Sequence, residues 1–460
     1  MTQTARHEST EPTTVRLVPK LNLPSIIVFG LAYMAPGVVV STFGVIAVAS
    51  KGAAPTAYLV ATLAMALTAL SYGKLARAYP ASGSVYTYAR RLIDARVGFL
   101  AGWAILLDYF FLPMVAWLIQ ALYMNVQFPG LPIWAWLVVN IVATTVVNVL
   151  GIVLADRVNK VLLTLTVLGL IALVAVCFGH VGAGGAAAGG HALWNPATSI
   201  GAVTAGAAVA AYTFLGFDAV STLSEEVHDP RRNVPRGILL TVVIGGAIFF
   251  VIALAMQWGH PGSHFADEST AGFAVAVGAG GKHFADVLNI MTLLGGFASC
   301  VAVQASTSRL MYVMGRDAVL PRRVFGYLHP RFRTPVFNLV VIAVVGLFAT
   351  RLSLDTATSF INFGAFLAFA LANVCVIAAW IRHRHTDSSM GVFGYVVLPV
   401  AGAAVDLYLM TKLSHIAVEL GLSWLALGIV YLLVLTRGLR KPPPEFALET
   451  TGSPGPALAD

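Results

Sequence analysis

An all-α, polytopic membrane protein with twelve transmembrane helices is the fold class predicted by the sequence, and three observations predict it. Of 460 residues, 58% are hydrophobic and only 10% charged, where soluble domains carry roughly a quarter charged residues. Twelve apolar runs follow one another, each of about the ~20 residues that a helix needs to cross a bilayer. The segments between them sort by charge: 24 of the 28 Lys and Arg fall on the side that holds both termini, leaving Lys51, Lys282, Arg351 and Lys412 on the other. That asymmetry predicts a multi-pass inner (plasma) membrane protein with cytoplasmic termini.

Taken in order, residues 1–20 are polar, include Glu8 and Glu11, and lack an apolar region ending in small residues, so they read as a cytoplasmic tail with no removable signal peptide. Spans are expected at 22–50, 55–73, 97–124, 131–152 and 159–180, then at 199–222, 236–258, 284–312, 336–351 and 355–380. These ten make a core over 21–380. Two more, at 391–411 and 415–436, follow it within 391–436. Residues 181–193, rich in glycine and alanine, read as a flexible outer loop, and 437–460, with Pro442-Pro443-Pro444, as a cytoplasmic tail.

Several function classes are disfavoured at this point. The net charge of +8 reflects topology rather than a nucleic-acid partner. Cys177, Cys300 and Cys375 lie in apolar runs, which supports neither a disulfide framework nor a zinc site. The eleven histidines fall in tails, loops or span ends, so neither a metal site, a cofactor nor an enzyme is expected. A channel would more often show a repeated polar ring. The expected partners are the lipid bilayer and a small solute.

Two spans are interrupted at mid-depth. The first contains Pro36-Gly37, which removes an amide donor and frees the backbone, and the sixth contains Gly216. Either alone reads as a kink. Together they are the first span of the chain and the first after five, and because five is odd the second set enters from the opposite side. That is the pattern of inverted repeats whose broken helices meet at the midplane and bind substrate. Half-helix N-termini suit an anionic group and C-terminal carbonyls a cation, so a zwitterion suits both.

Asp108, Asp218 and Asp406 are the acids near mid-span, with no Lys or Arg at that depth. Each needs a partner, a proton or a wet cavity, and an amine substrate would supply the first. Asp218 reads as a cap for the half-helix after the break or as an amine or proton contact; Asp108, next to Tyr109, as an interhelical hydrogen bond or a site acid; Asp406 as a packing or oligomer contact. Ser306, Thr307 and Ser308 offer hydroxyls to a sodium ion or back to their own helix. Arg316, Asp317, Glu225, Glu226, Arg231 and Arg232 read as loop anchors or an inner gate.

The blocks SEEVHDPRRNVPRG (224–237), PASGSVYTYA (80–89), VGFLAGWAILLDYFFLP (97–113), FLGFDAVSTLSEE (214–226), SRLMYVMGRDAVLPRRVFGYLHPRFRTP (308–335) and INFGAFLAF (361–369) resemble the amino acid-polyamine-organocation superfamily, in its bacterial putrescine importer branch. The resemblance implies the leucine-transporter fold, five plus five inverted repeats with two extra helices. It also implies a permease that imports an amine-bearing solute, an amino acid or a polyamine such as putrescine, by alternating access and with a proton as coupling ion; exchange is the alternative. It places Ala35, Pro36, Gly37 and Val38 at the substrate, with Phe214, Leu215, Gly216 and Asp218 opposite them and Tyr212 closing from outside. Asp108 and Tyr109 join this set from the third span. Ser41 stands where the branch implies an acid, which lowers the expected substrate charge toward zwitterionic or monocationic. Thr166 stands where some relatives have a proton-coupling lysine, which leaves the coupling ion open between a proton and sodium.

Overall fold

Helices begin where short polar side chains or prolines can satisfy or remove the unpaired amides of a first turn. Asn22 Oδ1 accepts from the Ser25 amide at 3.0 Å, with Pro24 in the same turn. Asp94, Ser199 and Ser353 do likewise for the amides of Arg96, Ala202 and Thr356. A computed structural model describes residues 21–79, 85–150, 156–183, 190–224, 226–316, 319–332, 334–384 and 390–444, and among these the elements are helical apart from one isolated bridge, Leu21 with Val227. The N-terminal tail, the glycine run at 184–189, the last residues from 445 on, and Glu225 and Asp317 of the expected gate lie outside the described residues.

The first span is two helices, Leu23–Tyr33 and Val38–Ala49, bent by 57°. The second, Ala54–Ala78, and third, Ala95–Gln127, are separated by a short helix, Val85–Leu92. The fifth, Asp156–Gly182, seventh, Pro230–Gly259, tenth, Leu354–His383, and twelfth, His415–Leu435, are continuous. The sixth is an α-helix, Ile200–Ala210, a 3-10 turn, Ala211–Phe214, and a second 3-10 segment, Asp218–Leu223. The eleventh opens with a π-turn, Phe393–Val397, before Leu398–Met410.

Among the described residues nine helices are long and apolar enough to cross a membrane, ten with the bent first pair. Two shorter apolar helices, Ile133–Val149 and Val336–Arg351, stand at the fourth and ninth expected positions. Seventeen residues give about 26 Å at ~1.5 Å per residue, near the ~30 Å hydrocarbon thickness. The eighth element departs from its expected bounds of 284–312: it runs Ala271–Arg316 and turns at Gly281, whose φ of +79° favours glycine.

Packing repeats with a five-span offset. The second and seventh spans form the most extensive contact. The first packs on the seventh as the sixth does on the second; the third on the tenth as the eighth on the fifth; the fifth on the seventh as the tenth on the second. The half of the first span nearer the N-terminus also meets the later half of the sixth, and the later half of the first meets the earlier half of the sixth. The two broken spans therefore run antiparallel with their breaks at one level. Small residues allow this approach: a Cβ on Gly206 would lie 2.8 Å from the Ser50 Cβ, and one on Gly30 2.6 Å from Thr241.

Candidate functional site

The two breaks are backbone events before they are a site. Ala35 holds φ +44°, a left-handed conformation that costs a non-glycine residue roughly 1–2 kcal/mol, and Pro36 brings no amide. The carbonyls of Tyr33 and Met34 and the amide of Gly37 find no backbone partner among the described residues. Across from them the chain becomes extended at Leu215 (ψ 132°) and turns at Gly216 (φ +103°). The Tyr33 ring lies against the bare backbone of Gly216, where any Cβ would overlap it.

A cavity of about 500 Å³ opens at these breaks, walled by the first, third, fifth, sixth and eighth spans. Ala35, Pro36, Gly37, Val38 and Ser41 line it from the first span, Tyr212 and Leu215 from the sixth. Phe214 does not: it is fully buried and turns to Phe249 of the seventh span, edge to face with centroids 5.1 Å apart. Gly216, Asp218, Asp108 and Tyr109 are also off the wall. They gather behind Tyr33, which lies beside Tyr109 and in the field of both acids. The Asp218 carboxylate rests against the backbone amides of Gly216, Asp218 and Ala219. Asp108 Oδ1 is buried and has no hydrogen-bond partner among the described residues.

Among the described residues, no side chain on the cavity wall carries a formal charge. A charged solute would therefore be met by the free backbone groups of the breaks and by the two acids acting across Tyr33, because burying an ion against apolar walls alone costs several kcal/mol.

Several wall residues were not nominated from the sequence. Gln120 and Tyr123 enter from the third span; Gln120 Nε2 donates to Leu293 O at 2.9 Å and the Tyr123 hydroxyl to Val40 O at 3.2 Å. Gly295-Gly296 on the eighth span makes room for them. A Cβ on Gly296 would lie 2.6 Å from Gln120 Oε1, and one on Gly295 2.6 Å from Thr166 Oγ1. The signal was present as a glutamine in an apolar run facing a glycine pair in another. Thr166 itself lines the cavity and bonds back to Leu162 O at 3.0 Å. Of the three hydroxyls considered for sodium, Thr307 donates to Tyr109 O at 2.7 Å, Ser308 bonds back to Ala305 O at 2.8 Å, and Ser306 faces outward. Among the described residues no group of three or more His, Cys, Asp or Glu could hold a metal ion.

An all-α bundle in which two broken helices share a central cavity defines a membrane permease. A family model described as amino acid permease matches residues 25–434, and the chain belongs to that family. It is 37% identical to the low-affinity putrescine importer PlaP of Escherichia coli (strain K12) over 441 residues, 94% of this chain and 97% of that protein. The methylthioribose transporter of Bacillus subtilis (strain 168) is 28% identical over 84% of this chain and 87% of its own, and the branched-chain amino acid permease BcaP of the same organism 25% identical over 89% and 92%.

Proposed function

We propose that this permease imports a solute bearing an ammonium group, an amino acid or a polyamine, by alternating access across the bacterial inner membrane, with a proton as coupling ion and both termini cytoplasmic. The core over 21–380 acts as two inverted five-helix repeats, a reading supported by the offset packing pairs and the antiparallel first and sixth spans. Ala35, Pro36, Gly37, Val38, Ser41, Tyr212 and Leu215 contact the solute, and Phe214 and Gly216 shape the sixth-span break. Asp108, Tyr109 and Asp218 form the acidic floor behind Tyr33. The relatives named for putrescine and for branched-chain amino acids support an amine substrate. Membership of the amino acid permease family supports transport rather than catalysis.

The observation that carries this reading is the convergence of both broken helices on one cavity whose wall is neutral among the described residues, with two acids close behind its Tyr33. A thermal-shift screen of the purified protein against amino acids, diamines and their deaminated analogues tests it. A ligand at 100 times its Kd stabilises by about 2.7 kcal/mol, so at least one amine-bearing solute raises the melting temperature while its deaminated analogue does not. Equal shifts with both, or none with any amine, would overturn the assignment.

A further inference from the structure

Asp406, on the eleventh span, is 0% exposed, which removes it from any oligomer surface. Its Oδ2 accepts from Thr68 Oγ1 of the second span at 2.9 Å and from Asn373 Nδ2 of the tenth at 3.1 Å. Asn373 Nδ2 also reaches Thr68 Oγ1 and Phe369 O, both at 3.1 Å, and its Oδ1 accepts from Ser71 Oγ at 2.5 Å. Gly402, one helical turn before Asp406, makes the room: a Cβ there would lie 2.7 Å from Asn373 Oδ1. Three spans thus converge on one carboxyl group, and its other oxygen, Oδ1, is buried with no hydrogen-bond partner among the described residues.

Among the described residues no cation is paired with that group. The titratable side chain facing it from the second span is Tyr72, whose buried hydroxyl also has no hydrogen-bond partner among the described residues, and Cys375 of the tenth lies beside Tyr72. Lys74, further along the second span, turns away to the Gly394 carbonyl and the Tyr395 ring. The sixth span contributes Thr204, a neutral group, which meets Tyr408. An ionised carboxylate in these surroundings costs several kcal/mol, whereas the neutral acid carries no such charge.

We propose that Asp406 is a proton-binding site, separate from the solute cavity, that carries its proton on Oδ1 while the second, tenth and eleventh spans are packed together and releases it when they part. On release the O–H bond breaks, the proton passes to water admitted between the spans, and the electron pair stays on Oδ1 of the carboxylate. The second span packs on the sixth and seventh, so the proton ties the outer spans to the helices around the cavity. The assignment does not depend on the solute.

Two measurements test it without a substrate. Infrared difference spectra between wild type and Asp406→Asn at neutral pH should show a carboxylic-acid C=O band present only in the wild type. In a background with Cys177 and Cys300 changed to serine, Cys375 reports opening, since it is buried on the tenth span near the network. Its labelling by a small permeant thiol reagent is compared, at each pH, between that background and the same background carrying Asp406→Asn, so that intrinsic thiol reactivity cancels. The ratio should be near one while the acid band persists and rise about threefold or more once raised pH removes it, as expected of a local opening. An absent acid band, or a ratio that stays at one, would overturn the proposal. If Asp406→Asn does not fold, Asp406→Glu replaces it in the infrared comparison, where a protonated acid at this position shifts its C=O band and an unshifted band would overturn the proposal.

Discussion

Asp218 is where charge and capping can be separated. Its carboxylate lies against three backbone amides around the sixth-span break, an arrangement that Asn reproduces about as well as Asp. Replacement by Asn therefore preserves the local fold and removes the charge that would face an ammonium group across Tyr33. We expect Asp218→Asn to express and purify like wild type but to take up solute at least about tenfold more slowly, the factor given by ~1.4 kcal/mol of lost interaction. Unchanged saturation kinetics would return the residue to capping. Asp108→Asn should lose less, since Asp108 Oδ1 has no hydrogen bond to forfeit. The acids were legible as residue types, being the only charges at mid-span, but their gathering behind one tyrosine was not. Tyr33 sits in the interrupted first span, and its role depends on Gly216, 183 positions later, presenting a bare backbone to its ring.

The broken helices are the elements on which access depends. At Gly216 a β-branched side chain meets two obstacles, the positive φ and the Tyr33 ring. Gly216→Val should abolish uptake in protein that still reaches the membrane, measured as transport per unit of expressed permease; full activity would mean that the break is only a kink. Pro36-Gly37 announced the first break in the sequence because proline cannot donate to a helix. The sixth-span break was also legible at Gly216, but its later half forms a 3-10 segment rather than an α-helix, a detail set by packing against the first and seventh spans. The arm before Gly281 escaped notice because a glycine-rich run reads as loop until tertiary contacts hold it.

For the whole molecule, sidedness is the open quantity with a clean test. The 24 to 4 distribution of Lys and Arg predicts that the loop after the seventh span lies outside and the end of the twelfth inside. Ala266 and Lys441 are exposed, and the three native cysteines are buried, so background labelling is low. Ala266→Cys should react with an impermeant thiol reagent added to intact cells, and Lys441→Cys only after the membrane is opened; the reverse pattern would invert the topology.

Composition and apolar periodicity by themselves determined the class, the order of the spans and the two weak points in their backbones, because the bilayer imposes one length, one hydrophobicity and internal hydrogen bonding on every segment that crosses it. Tertiary structure decided which residues share a space. Gln120 and Thr166 reach the cavity only because Gly295 and Gly296 vacate it, and Asp406 becomes a fully buried acid only because Gly402 admits Asn373. Such contacts join positions tens to hundreds of residues apart in spans that all look equally apolar, and it is close packing of side chains, rather than hydrophobicity, that distinguishes one neighbour from another in a membrane.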